Sequence, residues 1–142
     1  MSGVRWWFAC FGLVGASVAA EAAWFTVTGN PEDPSVNTVQ VDPVAIKITG
    51  ERRLMNVRVS RSQDRVNWEG VPYRSYDARV AFDCRARKGE YLFARFYMAA
   101  LWQGEVHKAT DYSEKPRPMR FLSIEPNPAD RIVRAACHAS GQ

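Results

Sequence analysis

Residues 76–87 read Y-D-A-R-V-A-F-D-C-R-A-R, and their alternation decides the fold. Ala78, Val80, Phe82, Cys84 and Ala86 fall on one side. Arg79, Asp83, Arg85 and Arg87, with Ala81, fall on the other. Successive side chains of a strand point to opposite faces, so this is a strand with one apolar face to cover. The segment able to cover it lies near the C-terminus. Pro126-Asn127-Pro128-Ala129-Asp130 has the chemistry of a helix start, with Asn127 as N-cap, Pro128 as first helical residue and Asp130 in the first turn. Ala129, Ile132, Val133, Ala136 and Cys137 then recur at helical spacing and form one apolar stripe. Each face can bury the other. Cys84 lies on the first and Cys137 on the second, so a Cys84–Cys137 disulfide is expected.

Working outward, further strands are expected over Trp24–Gly29, Val36–Val41, Val44–Ile48 and Leu54–Ser60. In the third, Val44, Ile46 and Ile48 share a face; in the fourth, Met55, Val57 and Val59 do. Lys88-Gly89-Glu90 reads as a hairpin turn into a strand over Tyr91–Met98, extended through Ala99–Trp102. Gly104–Thr110 is the next strand, and Met119–Ile124 a short strand or extended stretch. Ser62–Pro72 and Asp111–Pro118 read as polar loops. Strands followed by one helix predict an α+β fold: an antiparallel sheet with a C-terminal helix on one face, tethered by the disulfide.

The chain has 142 residues, 46% hydrophobic and 24% charged, which bounds it to one globular domain and excludes wholesale disorder. Eight Pro and nine Gly exclude a collagen-like or long coiled-coil chain. Three cysteines are an odd number, and the N-terminus resolves it. A positive Met1–Arg5 precedes the uncharged Trp6–Ala20, which is shorter than the roughly 20 residues of a spanning helix. Small residues close it. This is the layout of a secretory signal peptide over residues 1–20, with cleavage after Ala20 or alternatively after Ala22, leaving a single domain over 21–142. Cys10 departs with it, and the remaining pair suits an oxidising compartment. Trp7-Phe8-Ala9 before Cys10 lacks the aliphatic residue of a lipidation site, so no lipid anchor is expected. Membrane contact is expected only through the transient signal peptide, and the destination is the periplasm or the cell surface.

Catalytic signatures are missing from the sequence: it has no Gly-x-Ser-x-Gly, phosphate loop or His-Glu-x-x-His. His107 and His138 lack metal-ligand spacing. An enzyme, a metal and a cofactor are therefore not expected. The net charge of +4 is too mild, and export too unsuited, for a nucleic-acid partner. Arg79, Arg85, Arg87 and Lys88, which Arg58, Arg61, Arg65 or Arg74 could extend, form the expected polyanion- or partner-binding face, since guanidinium forks match carboxylates, sulfates and phosphates. The competing reading is a solvated face balanced by Asp83 and Glu90. Tyr91, Phe93, Phe96 and Tyr97 read as core or as the face of a homodimer.

Asp42 follows the strand T-V-Q-V, and Ser75 leads into Asp83-Cys84. Tyr97, Gly104, Ile124-Glu125-Pro126 and R-I-V-R-A-A-C ending at Cys137 follow in order. This succession resembles the surface-adhesin protein E family of Gram-negative bacteria, over roughly Trp24–Cys137. Phe121 stands near where the family often has Trp, and Asn127-Pro128 replaces Gly-Ser before the helix. The resemblance implies a sheet with a disulfide-tethered helix and an exported, adhesin-like binding protein. Its partner would be a host extracellular-matrix or other macromolecule. The alternative is a periplasmic envelope or structural protein without an external ligand.

Overall fold

The computed structural model describes residues 23–141 together with Gly3, Gly12 and Gly15. The signal-peptide reading, its two cleavage points and Cys10 lie outside the described residues.

Three long strands carry the sheet: β5 (Arg52–Val66), β6 (Pro72–Asp83) and β7 (Lys88–Tyr97). Before them come β1 (Phe25–Thr28), β2 (Thr38–Val41), β3 (Val44–Ala45) and β4 (Lys47–Thr49). After them come β8 (Val106–Asp111), β9 (Arg117–Pro118), α1 (Ala129–Cys137) and β10 (Ser140–Gly141). The main sheet runs β1-β2-β5-β6-β7-β8, antiparallel throughout, with β4 on β5 and β9 on β7. β10 pairs with β3 in parallel.

Register puts Val57 opposite Val41 and Ala78, and Met55 opposite Val80. These residues, with Val39, Val59 and Phe82, are almost wholly buried. Ile132, Val133 and Ala136 of α1 join the same core, each at most 4% exposed. Burying one such side chain contributes about 1.5–3 kcal/mol. The disulfide joins Cys84 to Cys137 across this contact, with Cα atoms 5.8 Å apart. The expected α+β architecture and its tether are therefore present.

Several boundaries differ, each for a tertiary reason. β6 stops at Asp83, not Arg87, because Asp83 Oδ1 accepts the Arg85 and Ala86 N–H groups at 3.0 and 2.9 Å. The turn is Cys84–Arg87, and Lys88-Gly89-Glu90 opens β7 instead of forming the turn. Ser62–Pro72 is not a loop. β5 continues through an irregularity after Ser60, and only Asn67–Val71 turns, Asn67 Oδ1 accepting from the Glu69 and Val71 N–H groups. Such a bulge hides a strand from a strict alternation test. Val44–Ile48 is two short strands. Ala45 faces the core, while Ile46 and Ile48 are exposed, since pairing of Lys47 with Leu54 sets the register.

Ala99–Trp102 does not extend β7. It makes a single turn folded over the sheet's outer face, with Leu101 and Trp102 at φ 54° and 59°. Met119–Ile124 is a loop, with Met119, Phe121 and Ile124 buried beneath it. α1 begins at Ala129, one residue beyond the expected first helical residue. Asn127 still supplies the capping acceptor, its Oδ1 taking the Ala129 N–H at 2.9 Å.

Candidate functional site

The strands outrun the helix. α1 has nine residues and is about 13 Å long, whereas the fifteen residues of β5 extend about 50 Å. The helix therefore covers only one end of the core face. At the other end the aromatics of β6 and β7 form the floor of a groove of about 590 Å³, within the usual range for small-ligand sites.

Tyr76 and Tyr91 make that floor, their hydroxyls hydrogen-bonded at 2.5 Å. Burial raises both phenols well above the ordinary tyrosine value, so both stay protonated at physiological pH. Trp68, about half exposed on the β5–β6 turn, lies against Tyr91 with ring centroids 6.3 Å apart. Four arginines line the walls. Arg61 and Arg65 come from the end of β5, and Arg117 and Arg120 from the segment that follows β8. Arg117 stands 5.0 Å over the Trp68 ring.

Arg61 is the distinctive one, being only 6% exposed. Its Nε donates to Asn37 Oδ1 at 3.2 Å and its Nη2 to Ser123 Oγ at 2.7 Å. Both partners are neutral, and among the described residues no carboxylate pairs with Arg61, Arg65, Arg117 or Arg120. Nearby carboxylates are engaged elsewhere: Asp64 lies 3.7 Å from Arg74, and Glu69 accepts from the Tyr112 hydroxyl at 2.6 Å. Among the described residues, no acidic side chain lines the groove. A buried guanidinium without a counter-ion is costly, and an anionic ligand would offset that cost.

The basic residues expected from the sequence lie elsewhere and do not form one strand face. Arg79 is mid-strand on the outer face of β6, its guanidinium 4.9 Å over Phe93. Arg85 and Arg87 lie in the turn beyond the strand, with Arg87 3.8 Å from Asp130 of α1. Lys88 pairs across from Asp83 at the base of that turn. Asp83 lies about 13 Å along the strand from Arg79. Arg85, Arg87 and Lys88 thus gather at the hairpin tip, and Arg79 stands apart. Of the suggested extensions, Arg61 and Arg65 enter the groove. Arg74 instead donates to the carbonyls of Arg61, Ser62 and Pro34. Arg58 lies between Trp24 and Trp102 on the outer face, 4.4 and 3.9 Å from the two rings.

Arg117 and Arg120 escape the sequence reading, because they fall in two differently read stretches, Asp111–Pro118 and Met119–Ile124, that only tertiary contacts bring to the β5–β6 turn. A partial signal was present in R-V-N-W over 65–68, an arginine closely followed by a half-exposed tryptophan. Tyr91 and Phe96 are core residues, and Tyr97 is buried against Asp77, to which its hydroxyl donates at 2.8 Å. The aromatic set is thus largely spent on the interior.

No helix among the described residues is long and apolar enough to cross a membrane, which says nothing of strand-built spans. No curated protein matches the chain. No solved structure matches it either. The model of one family, described as surface-adhesin protein E, matches residues 24–138, from the first described tryptophan to the end of α1. With most of its length matched and the helix, sheet and disulfide in place, the chain belongs to the surface-adhesin protein E family.

Proposed function

We propose that this protein is an exported, adhesin-like and non-enzymatic binding protein that engages an external macromolecule, a host matrix component among the candidates. The observation that carries this reading is the groove itself: four guanidiniums, two from β5 and two from the segment after β8, with no lining carboxylate among the described residues, in a chain of an adhesin family. Guanidiniums and high-pKa phenols are donors and stay so at neutral pH, which suits holding a ligand better than exchanging protons with one. The hairpin-tip cluster of Arg85, Arg87 and Lys88 is a second, shallower contact point for the same macromolecule.

Protease added to intact cells tests display: a surface adhesin is trimmed, and cells carrying it lose attachment to matrix-coated plates. A chain that is spared by protease until the outer membrane is opened is instead a periplasmic envelope protein. That reading draws on the sequence before Cys10, which lacks a lipidation pattern. For a homodimer, the sheet edges at β1 and β8 offer unpaired strands, with Phe25 54% and Val106 42% exposed, since most of the β7 aromatics are buried.

A further inference from the structure

Hydrogen-bonding capacity in the groove is one-sided. Arg61 spends two of its guanidinium nitrogens on Asn37 and Ser123, and Nη1 has no protein acceptor among the described residues. Asn67, on the groove wall, gives its Oδ1 to two backbone N–H groups of its own turn, while its Nδ2 is buried without a partner. Asn67 also lines a smaller recess of about 50 Å³ that shares Trp68, Tyr73, Tyr76 and Tyr91 with the groove. The Tyr76–Tyr91 pair shares one proton in its hydrogen bond. The second hydroxyl proton has no acceptor among the described residues. Arg65, Arg117 and Arg120 add donors at the rim. Buried polar groups are nearly always paired in folded proteins, so the buried, unpaired Asn67 Nδ2, with the donors of four arginines around the same groove, marks a place for an acceptor.

We propose that this groove binds an acidic saccharide unit, its carboxylate or sulfate seated against Arg61 and its ring lying along Trp68. The oxyanion supplies acceptors in the plane that a guanidinium fork presents. Ring hydroxyls, which both accept and donate, meet the Tyr76–Tyr91 pair and the Asn67 amide. The apolar edge of a sugar ring meets Trp68, 48% exposed beside Tyr91. An acidic peptide would satisfy the arginines, but its backbone N–H groups would find few acceptors on a wall of donors. The saccharide is therefore the better fit.

On the reading of the chain as a binding protein, the site can be tested apart from surface display, because purified protein suffices. The disulfide-bonded protein is titrated by calorimetry with a uronate oligosaccharide, a sulfated oligosaccharide, a neutral glucan of equal length and a polyglutamate peptide. Binding of either acidic saccharide, with the neutral glucan and the peptide much weaker, is the expected result; the two acidic arms tell which oxyanion is preferred. Arg117→Gln and Arg120→Gln should each weaken it roughly fivefold or more, as expected for loss of a charge-assisted hydrogen bond. Trp68→Ala should do likewise. Arg61→Met should abolish it, and if that buried substitution fails to fold, the rim variants decide alone. Arg79→Gln, on the outer face of the sheet, should leave it unchanged. Failure of both acidic saccharides to bind overturns the proposal. So does equal binding of the neutral glucan or tighter binding of polyglutamate, or an equal loss in the Arg79 variant. Each of these can occur while protease still trims the protein from intact cells.

Discussion

Ser75 is wholly buried although it points to the outer face of the sheet. The turn at Ala99–Trp102 covers it. Its hydroxyl donates to the Ala99 carbonyl at 2.7 Å and accepts the Trp102 N–H at 3.0 Å. Ser60, opposite it in register, accepts the Leu101 N–H at 2.9 Å. Trp102 Nε1 then donates to the carbonyls of Tyr76 and Val59, at 3.0 and 3.2 Å. This network holds two non-glycine residues in left-handed backbone geometry, which costs of order 1–3 kcal/mol each and persists only when the surroundings enforce it. Ser75→Ala strips a donor and an acceptor at once and leaves the Trp102 N–H unsatisfied. It should lower unfolding free energy by about 1–3 kcal/mol in urea melts, with tryptophan fluorescence shifting towards that of exposed indole. Unchanged stability would show that the two serines do not hold the turn. The sequence reading ends one strand at Ser60 and begins the next at Tyr76, just past Ser75, and nothing local announces the tryptophan that returns to cover both serines.

Among elements, the helix and its partner strand were legible because each carries its own period. Phe82 and Val80 alternate, Ile132 and Ala136 recur every turn, and both patterns survive in the structure. The disulfide followed from them, since two apolar faces that must meet bring Cys84 and Cys137 together. Cross-linking residues 53 apart restricts the unfolded chain and is worth about 4 kcal/mol on the chain-entropy account. Reduction, or the paired Cys84→Ser and Cys137→Ser substitution, should therefore lower unfolding free energy by about that amount. Calorimetric Tm should fall by well over ten degrees, at the several degrees per kcal/mol typical of this size. A shift of only a degree or two would mean that helix docking alone restricts the chain. The β5–β6 turn and the Ala99–Trp102 turn were misread for the opposite reason: their course is set by a bulge and by distant hydroxyls, not by any period.

For the whole molecule, stability at high pH is governed by the groove floor. Tyr76 and Tyr91 are buried, and both have folded-state values raised above the ordinary 10 by that burial, with their mutual proximity raising Tyr76 further. The unfolded chain releases these protons near pH 10, while the folded chain holds them to higher pH. Their contribution to stability is therefore fully present below about pH 10 and is lost as pH rises towards the folded-state values. Tm should fall more steeply above pH 10 in the wild-type protein than in the Tyr76→Phe and Tyr91→Phe double variant. Tyr97 and Tyr112, also raised by burial, remain in both proteins and cancel in the comparison. Equal slopes would show that the pair ionises freely.

By itself the sequence determined the class of fold, the face each major element buries and the identity of the cross-linked cysteines, because hydrophobic period and helix-start chemistry are local properties. Its family character was likewise readable in the order of short motifs along the chain. Only the tertiary structure decided where ligand chemistry collects. Arg61 and Arg65 stand at one end of β5, Arg117 and Arg120 follow β8, and no spacing in the sequence relates them. They meet because a nine-residue helix is too short for the sheet it covers, leaving its far end to be walled by loops that bring the arginines together.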